Sequence, residues 1–148
     1  MKKNTLIYGI GNPGRGDDGL GFAFIERLPI DILYDTHCAY QLNIEDAELF
    51  AKYTNIMIID AAKNLDTNFT FNTVEPKDES SFSTHSMSVA TVAALCHNLF
   101  RKQPKVRLLA IKGIDFQLKI GLSHSANNAL EDALFWFNLE KINILTLH

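Results

Sequence analysis

The sequence contains little cysteine, little excess charge and no long apolar segment. Its 148 residues include two cysteines, Cys38 and Cys96, which form neither a C-x-x-C pair nor a spacing typical of secreted disulfide domains. No apolar run approaches the ~18 residues that a membrane-spanning helix needs, and only a short apolar stretch precedes Gly9. These absences argue against an exported disulfide protein and against membrane insertion. We expect a cytoplasmic protein without membrane contacts.

The charge balance bears on the possible partners. The formal net charge of -3 offers no electrostatic attraction to phosphate backbones, so nucleic acid is not an expected partner. Apolar residues make up 47% and charged residues 21% of the chain, which is typical of soluble globular proteins. Without repeats, linkers or low-complexity tracts, residues 1–148 are expected to form one domain, and we expect a monomer.

Predicted strands and helices alternate along the chain. The apolar patterns predict strands at 5–10, 30–35, 56–60, 68–74 and 106–111, and helices at 19–28, 45–53, 89–100 and 126–137. Such alternation favours an α/β fold with three α/β/α layers and a twisted, mostly parallel sheet of about five strands. The segment 68–74 is expected at an edge of this sheet.

Open parallel sheets bind ligands beyond the carboxyl ends of their strands. Three parts of this chain are expected there: the loop 11–18 after the first strand, Asp60 at the end of a central strand, and the segment leading to His85. Residues at these positions are therefore the candidates for chemistry.

A glycine-rich turn follows the first strand. Residues 9–14 satisfy G-x-G-x-x-G, and Asp35 lies 21 positions after Gly14, near where a dinucleotide-binding fold has its ribose-binding acid. A nucleotide-binding α/β module is thus one alternative. Against it, Asp17 and Asp18 stand where the next helix begins, and two carboxylates there would compete with a pyrophosphate for the same amides. Paired acids at this position attract cations instead.

Each candidate residue also has a structural explanation. Asp17 and Asp18 are in the position of helix N-caps, Asp60 could close a turn at a strand end, and His85 could cap or precede a helix at the surface. One cap needs one acid, however, and Asp60 closes a run of four large apolar residues, where a carboxylate loses hydration. Two carboxylates and an imidazole would suit a borderline divalent ion such as zinc, nickel or iron.

The chain resembles the hydrogenase maturation endopeptidases, in what looks like a divergent branch. Three segments carry the resemblance: the glycine-rich run ending in Asp17-Asp18-Gly19-Leu20-Gly21, then Ile58-Ile59-Asp60-Ala61, then Ser83-Thr84-His85 before a helix. The departure from the family lies in Asp35-Thr36-His37-Cys38-Ala39-Tyr40, which replaces a Gly-Gly-Thr-type loop after the second strand.

The resemblance implies a function and a site. Family members remove the C-terminal extension of the nickel-iron hydrogenase large-subunit precursor after recognising its bound nickel, within a phosphorylase/hydrolase-like fold. It assigns the metal ligands to Asp18, Asp60 and His85, with Gly11, Asn12, Asp17 and Gly19 supporting the loop and Asp17 serving as the helix cap. Nickel would arrive with the substrate, and zinc or cadmium could substitute for it.

A second enzyme class shares the start of this chain. Peptidyl-tRNA hydrolases resemble it through Gly9-Ile-Gly11-Asn12-Pro13-Gly14, but they continue with a histidine-asparagine pair where this chain has Asp17-Asp18-Gly19. The negative net charge also disfavours tRNA. No Ser-His-Asp or Cys-His arrangement stands at a recognisable spacing, so the sequence nominates no covalent nucleophile.

Overall fold

The computed structural model describes residues 3–77 and 87–146. Its strands are β1 (Thr5–Ile10), β2 (Asp35–Ala39), β3 (Asn55–Ala62), β4 (Phe69–Thr73) and β5 (Lys105–Lys112). Its helices are α1 (Leu20–Glu26), α2 (Asp46–Phe50), α3 (Val89–Phe100) and α4 (His124–Leu145), and a single 3-10 turn, Gly16–Gly19, precedes α1. Among the described helices, none is long and apolar enough to cross a bilayer.

The five strands form one sheet in the order β2-β1-β3-β5-β4. All neighbouring pairs are parallel except β4 with β5, which is antiparallel, and β4 lies at an edge. The predicted α/β fold, with about five mostly parallel strands and an edge strand near 68–74, is confirmed. Because only a short connection joins α3 to β5, α3 ends near the amino ends of the strands and begins toward their carboxyl ends.

Helices cover both faces of the sheet, because the central strands are apolar on both sides. On one face α1 and α4 pack over Ile7, Met57, Ile59, Leu109 and Ile111. On the other face α2 and α3 pack over Leu6, Tyr8, Ile10, Ile56, Ile58 and Val106. The alternation of side chains along β3 places Asp60 on the same face as Ile58, the face that α2 and α3 cover.

The predicted second strand at 30–35 is wrong. The strand is Asp35–Ala39, and Ile30 and Ile32 are exposed in the connection before it. The error follows from reading the alternating residues Ile30, Asp31 and Ile32 as a half-buried strand. The segment 35–40, which was expected to be a loop after the second strand, therefore contains the second strand itself.

Two helix ends also differ from prediction. α4 continues to Leu145 rather than ending near 137, because Ile144 and Leu145 are buried and Arg107 donates a hydrogen bond of 2.6 Å to the Ile144 carbonyl. α2 is shorter than predicted and ends at Phe50.

Gly21 allows α1 to approach the sheet closely. A Cβ at this position would lie 2.5 Å from the Ile10 carbonyl oxygen and 2.7 Å from that of Ile59, and both of these atoms belong to the backbone. We expect Gly21→Ala to lower the free energy of unfolding by about 2 kcal/mol or more, because α1 must move away from its core contacts. In Gly14→Ala the new Cβ would meet only the Asn12 side-chain oxygen, at 3.2 Å.

Urea unfolding of both glycine variants tests this packing. An equal loss of stability in Gly14→Ala and Gly21→Ala would contradict it.

Candidate functional site

The glycine-rich turn folds back onto Asp18. Gly11 has a φ of +134°, and a Cβ there would overlap the backbone oxygen of Asp18, so only glycine fits. The Gly11 amide donates to the Ala39 carbonyl at 3.1 Å, which attaches the turn to the end of β2. Gly19 packs against Pro13 of the same turn.

The backbone amides of this turn are occupied by the protein itself. Asn12 donates to Asp18 Oδ2 at 2.7 Å, and Gly14 donates to Asn12 Oδ1 at 2.9 Å. The amides of Arg15, Gly16, Asp17 and Asp18 donate to the carbonyls of Asn12, Lys119, Asp115 and Arg15, respectively. A pyrophosphate would need these same donors, so the turn is built differently from a dinucleotide-binding loop.

Asp18 is half-buried at the carboxyl end of β1. Its Oδ2 accepts the Asn12 amide at 2.7 Å, which fixes the orientation of the carboxylate. A hydrogen bond from a backbone amide to a charged carboxylate is among the stronger protein hydrogen bonds. The turn therefore holds Asp18 in one position.

Asp60 lies near the carboxyl end of β3 and is also half-buried. Burial raises the pKa of Asp60 to about 7, and the negative charge of Asp18 adds to this rise. The hydrogen bond of 2.8 Å from the Ala61 amide acts in the opposite direction and lowers the pKa. Asp18 follows β1 and Asp60 lies near the end of the adjacent strand β3, so the negative charges of the two carboxylates act on each other. A cation between them would relieve both the repulsion and the lost hydration.

The position of this acid pair follows from the topology. β1 and β3 are neighbours in the sheet, and the chain leaves β1 toward β2 on one side but leaves β3 toward β5 and β4 on the other. Connections that diverge in this way open a crevice beyond the carboxyl ends of the strands, which is where open α/β sheets bind ligands. The structure thus brings Asp18 and Asp60 together at the topological switch point.

The third predicted ligand, His85, lies outside the described residues. In the described ranges 3–77 and 87–146, no group of three or more His, Cys, Asp or Glu residues could hold a metal ion. After the gap, Ser88 caps α3 by accepting a hydrogen bond of 3.1 Å from the Thr91 amide.

Asp17 has a different role from the predicted one. Its side chain caps neither the 3-10 turn nor α1, so the expectation that Asp17 caps its helix is wrong. The carboxylate is fully buried and turned toward residues 113–123. Its Oδ2 accepts from the Ile114 and Asp115 amides at 2.9 and 3.0 Å and from Ser123 Oγ at 2.8 Å, and its Oδ1 accepts from the Ser123 amide at 2.7 Å.

These contacts make Asp17 the anchor of a neighbouring loop. Burial alone would raise its pKa, but the hydrogen bonds from Ser123, Ile114 and Asp115 outweigh burial and lower the pKa below its usual value. Ser123 is also the N-cap of α4, accepting from the Ala126 amide at 3.1 Å. No local sequence pattern indicates this role, because all side-chain partners of Asp17 lie about 100 positions away.

A cavity of about 370 Å³ lies at the opposite end of the sheet, where the strands begin. Its polar groups pair with one another: Tyr53 donates to Asp35 at 2.7 Å, and Lys3 donates to the Asp31 carbonyl at 2.9 Å. Burial and the Asp35 hydrogen bond raise the pKa of Tyr53 to about 12, so the phenol stays protonated. We assign no function to this cavity.

Comparisons with known proteins bear on the fold. No protein-family model matches the chain, and no curated protein sequence matches it either. Solved structures do match. The hydrogenase maturating endopeptidase HybD from E. coli superposes with a TM-score of 0.75 at 18% identity, covering 95% of this chain and 92% of its own.

Two further solved structures agree. The [NiFe] hydrogenase maturation protease HycI from Thermococcus kodakarensis has a TM-score of 0.70 at 20% identity, covering 92% of this chain and 90% of its own. A hydrogenase 2 maturation peptidase from a Thaumarchaeota archaeon has a TM-score of 0.67 at 15% identity, covering 96% of this chain and 99% of its own. The chain therefore has the fold of the hydrogenase maturation endopeptidases.

Proposed function

We propose that this protein is an endopeptidase that removes the C-terminal extension of a nickel-iron hydrogenase large-subunit precursor after recognising its bound nickel. The observation that carries the proposal is the pair of half-buried carboxylates, Asp18 and Asp60, held together at the switch point of the sheet. The fold supports it, since the matching solved structures include proteins described as hydrogenase maturation proteases. We further propose that it acts as a cytoplasmic monomer.

The donor set fits a nickel ion carried by the substrate. Asp18 and Asp60 offer carboxylate oxygens, and the crowding of their charges favours a bound cation over an empty pair. His85 is proposed as the third ligand. It stands four positions before Val89, the first residue of α3, and α3 begins toward the carboxyl ends of the strands on the same face as Asp60.

The chain's own residues would then position the substrate. Asp18, fixed by the Asn12 amide, and Asp60, fixed by the Ala61 amide, present ligands to the nickel that the precursor carries. With nickel bound, these two acids would hold the neighbouring peptide segment of the precursor at the crevice, and the ion would supply Lewis-acid chemistry there. A precursor without nickel would lack this attachment.

Metal titration tests the ligand set. We expect the purified protein to bind one Ni, Zn or Cd ion, and we expect Asp18→Asn, Asp60→Asn and His85→Gln each to weaken binding by about 10-fold or more, because each removes one ligand. Isothermal titration calorimetry measures the affinities, with Asp66→Asn, an exposed acid after β3, as the matched control. If the three site variants bind like the wild type, the metal hypothesis is wrong.

A cleavage assay tests the activity itself. The wild type should shorten a nickel-loaded large-subunit precursor by its C-terminal extension and should leave the nickel-free precursor intact. Mass spectrometry of the products identifies the bond that is cut. If metal binds but neither precursor is cleaved, the protein is a metal-binding relative without this peptidase activity.

The two alternative functions have less support. A nucleotide-binding module would need free amides in the turn 9–14, and those of Asn12 and Gly14 already donate to the side chains of Asp18 and Asn12. A thermal shift with millimolar NAD, FAD or ATP would nevertheless reveal such a ligand. Binding to a tRNA acceptor-stem mimic at moderate salt would support the peptidyl-tRNA hydrolase alternative.

A further inference from the structure

The loop 113–123 exposes three aliphatic side chains beside the candidate site. Ile114 is 59% exposed, Leu118 is 79% exposed and Ile120 is 92% exposed. Apolar surface left in contact with water is unfavourable, and its burial against a partner would be favourable. Several such residues on one short loop are typical of a surface that a partner covers.

The loop is held rigidly against the glycine-rich turn. Asp17 accepts hydrogen bonds from three of its residues, and the backbone of Lys119 exchanges hydrogen bonds with the turn. The Gly16 amide donates to the Lys119 carbonyl at 2.8 Å, and the Lys119 amide donates to the Gly14 carbonyl at 3.0 Å. A surface fixed in this way is preformed, so a partner need not order it on binding.

Three cations lie on or next to the loop 113–123. On the loop itself, Lys119 Nζ pairs with Asp115 at 2.5 Å. Arg15 is bridged to Lys119 through the backbone and is exposed, and Lys63 Nζ lies 4.7 Å from the centre of the Phe116 ring. The surface therefore combines apolar side chains with two cations, Arg15 and Lys63, that form no ion pair among the described residues.

We propose that loop 113–123 is the docking surface for the substrate polypeptide, and that it binds a precursor segment carrying aliphatic side chains and at least one carboxylate. The inference rests on the proposed function, because it takes the occupant to be the hydrogenase precursor. Asp17 anchors this loop and Asp18, the next residue, is the proposed metal ligand. A substrate polypeptide whose nickel is bound by Asp18 and Asp60 would therefore pass close to loop 113–123.

A matched pair of double variants tests the docking surface. Leu118→Ser/Ile120→Ser removes two exposed aliphatic residues from the loop. Ile30→Ser/Ile32→Ser removes two equally exposed isoleucines, 101% and 76% exposed, from the opposite end of the sheet. With nickel-loaded precursor as the substrate, the loop variant should raise KM about 10-fold with kcat within about twofold, because docking is lost and chemistry is kept. The Ile30/Ile32 variant should match the wild type.

Charge is tested separately. Lys63→Glu should raise KM severalfold at low salt, and this difference should shrink at 0.5 M NaCl, because salt screens exposed charges. Calorimetric Ni affinity is measured for every variant and should be unchanged.

The outcomes separate the two proposals. If the wild type cleaves the precursor but the Leu118/Ile120 variant has unchanged KM, the docking surface is wrong and the proposed function stands. An equal rise in KM for both double variants also overturns the docking surface, because the loss of exposed apolar side chains at either end of the sheet would then weaken substrate binding equally. If the wild type binds metal but neither binds nor cleaves the precursor, both proposals fall.

Discussion

Asp17→Asn is expected to lower the free energy of unfolding by about 3 kcal/mol, whereas Asp18→Asn should change it by less than about 1 kcal/mol. Asp17 is buried, and both of its oxygens accept hydrogen bonds, from Ile114, Asp115 and Ser123. An asparagine there would turn an amide group toward donors. Asp18 accepts the Asn12 amide through one oxygen, a bond that asparagine can keep.

The pH dependence of this effect has a defined sign. The pKa of Asp17 is lowered by folding, so its contribution to stability is complete above the unfolded pKa near 3.8 and is lost as the pH falls through the folded value. The difference in stability between Asp17→Asn and the wild type should therefore be largest near neutral pH. It should shrink as the medium becomes more acidic than pH 4.

Thermal and urea unfolding of the two variants provide the measurement. For a chain of this length, a loss of 3 kcal/mol corresponds to a fall in Tm of roughly 10 °C. Equal stabilities for Asp17→Asn and Asp18→Asn would contradict the anchoring role. Conversely, Asp18→Asn should lose metal affinity, which separates the two neighbouring acids by function.

Asp60→Asn is expected to stabilise the protein while it abolishes activity. At pH 8 we expect a gain of about 2 kcal/mol in the free energy of unfolding, and we expect precursor cleavage to fall at least about 100-fold. Burial raises the pKa of Asp60 to about 7, so the metal-free protein holds a carboxylate where its charge is unfavourable. Asparagine removes that charge together with one ligand.

The pH dependence of this gain in stability follows from the raised pKa of Asp60. The folded state binds the Asp60 proton more tightly than the unfolded state, so this group costs nothing below pH 3.8 and costs progressively more as the pH rises to about 7. A shift of this size corresponds to about 4 kcal/mol, and we halve it because Asp60 is partly exposed to water.

Unfolding of metal-free wild type and Asp60→Asn at pH 4, 6 and 8 tests this expectation. The stabilities should converge at pH 4 and diverge toward pH 8, and Asp66→Asn should follow the wild type throughout. A variant that is less stable than the wild type at pH 8 would show that Asp60 is a structural residue.

Local sequence patterns predicted the architecture well. The run 56–60 is apolar on both faces and could only be a central strand, and the helical spacing of 89–100 ends before Pro104 as observed. The switch-point rule predicts from these strands that Asp18 and Asp60 lie at the same end of the sheet. These features depend on neighbouring residues, which sequence patterns report directly.

The errors share a cause in long-range contacts. Ile30 and Ile32 alternate like a strand, but the hydrogen bonding of β1 selects Asp35–Ala39 instead. α4 extends past Phe137 because Arg107, on β5, binds the carbonyl of Ile144. Asp17 looked like a cap because its true partners are distant in sequence. Whether His85 completes the site stays a prediction, since it lies outside the described residues.

The most direct test is a crystal structure of the protein with zinc or nickel, located by anomalous diffraction. We predict one ion with a carboxylate oxygen of Asp18, one of Asp60 and a ring nitrogen of His85, each at about 2.0–2.2 Å. An ion bound elsewhere, or His85 turned away from an ion held by the two acids, would contradict the proposed ligand set.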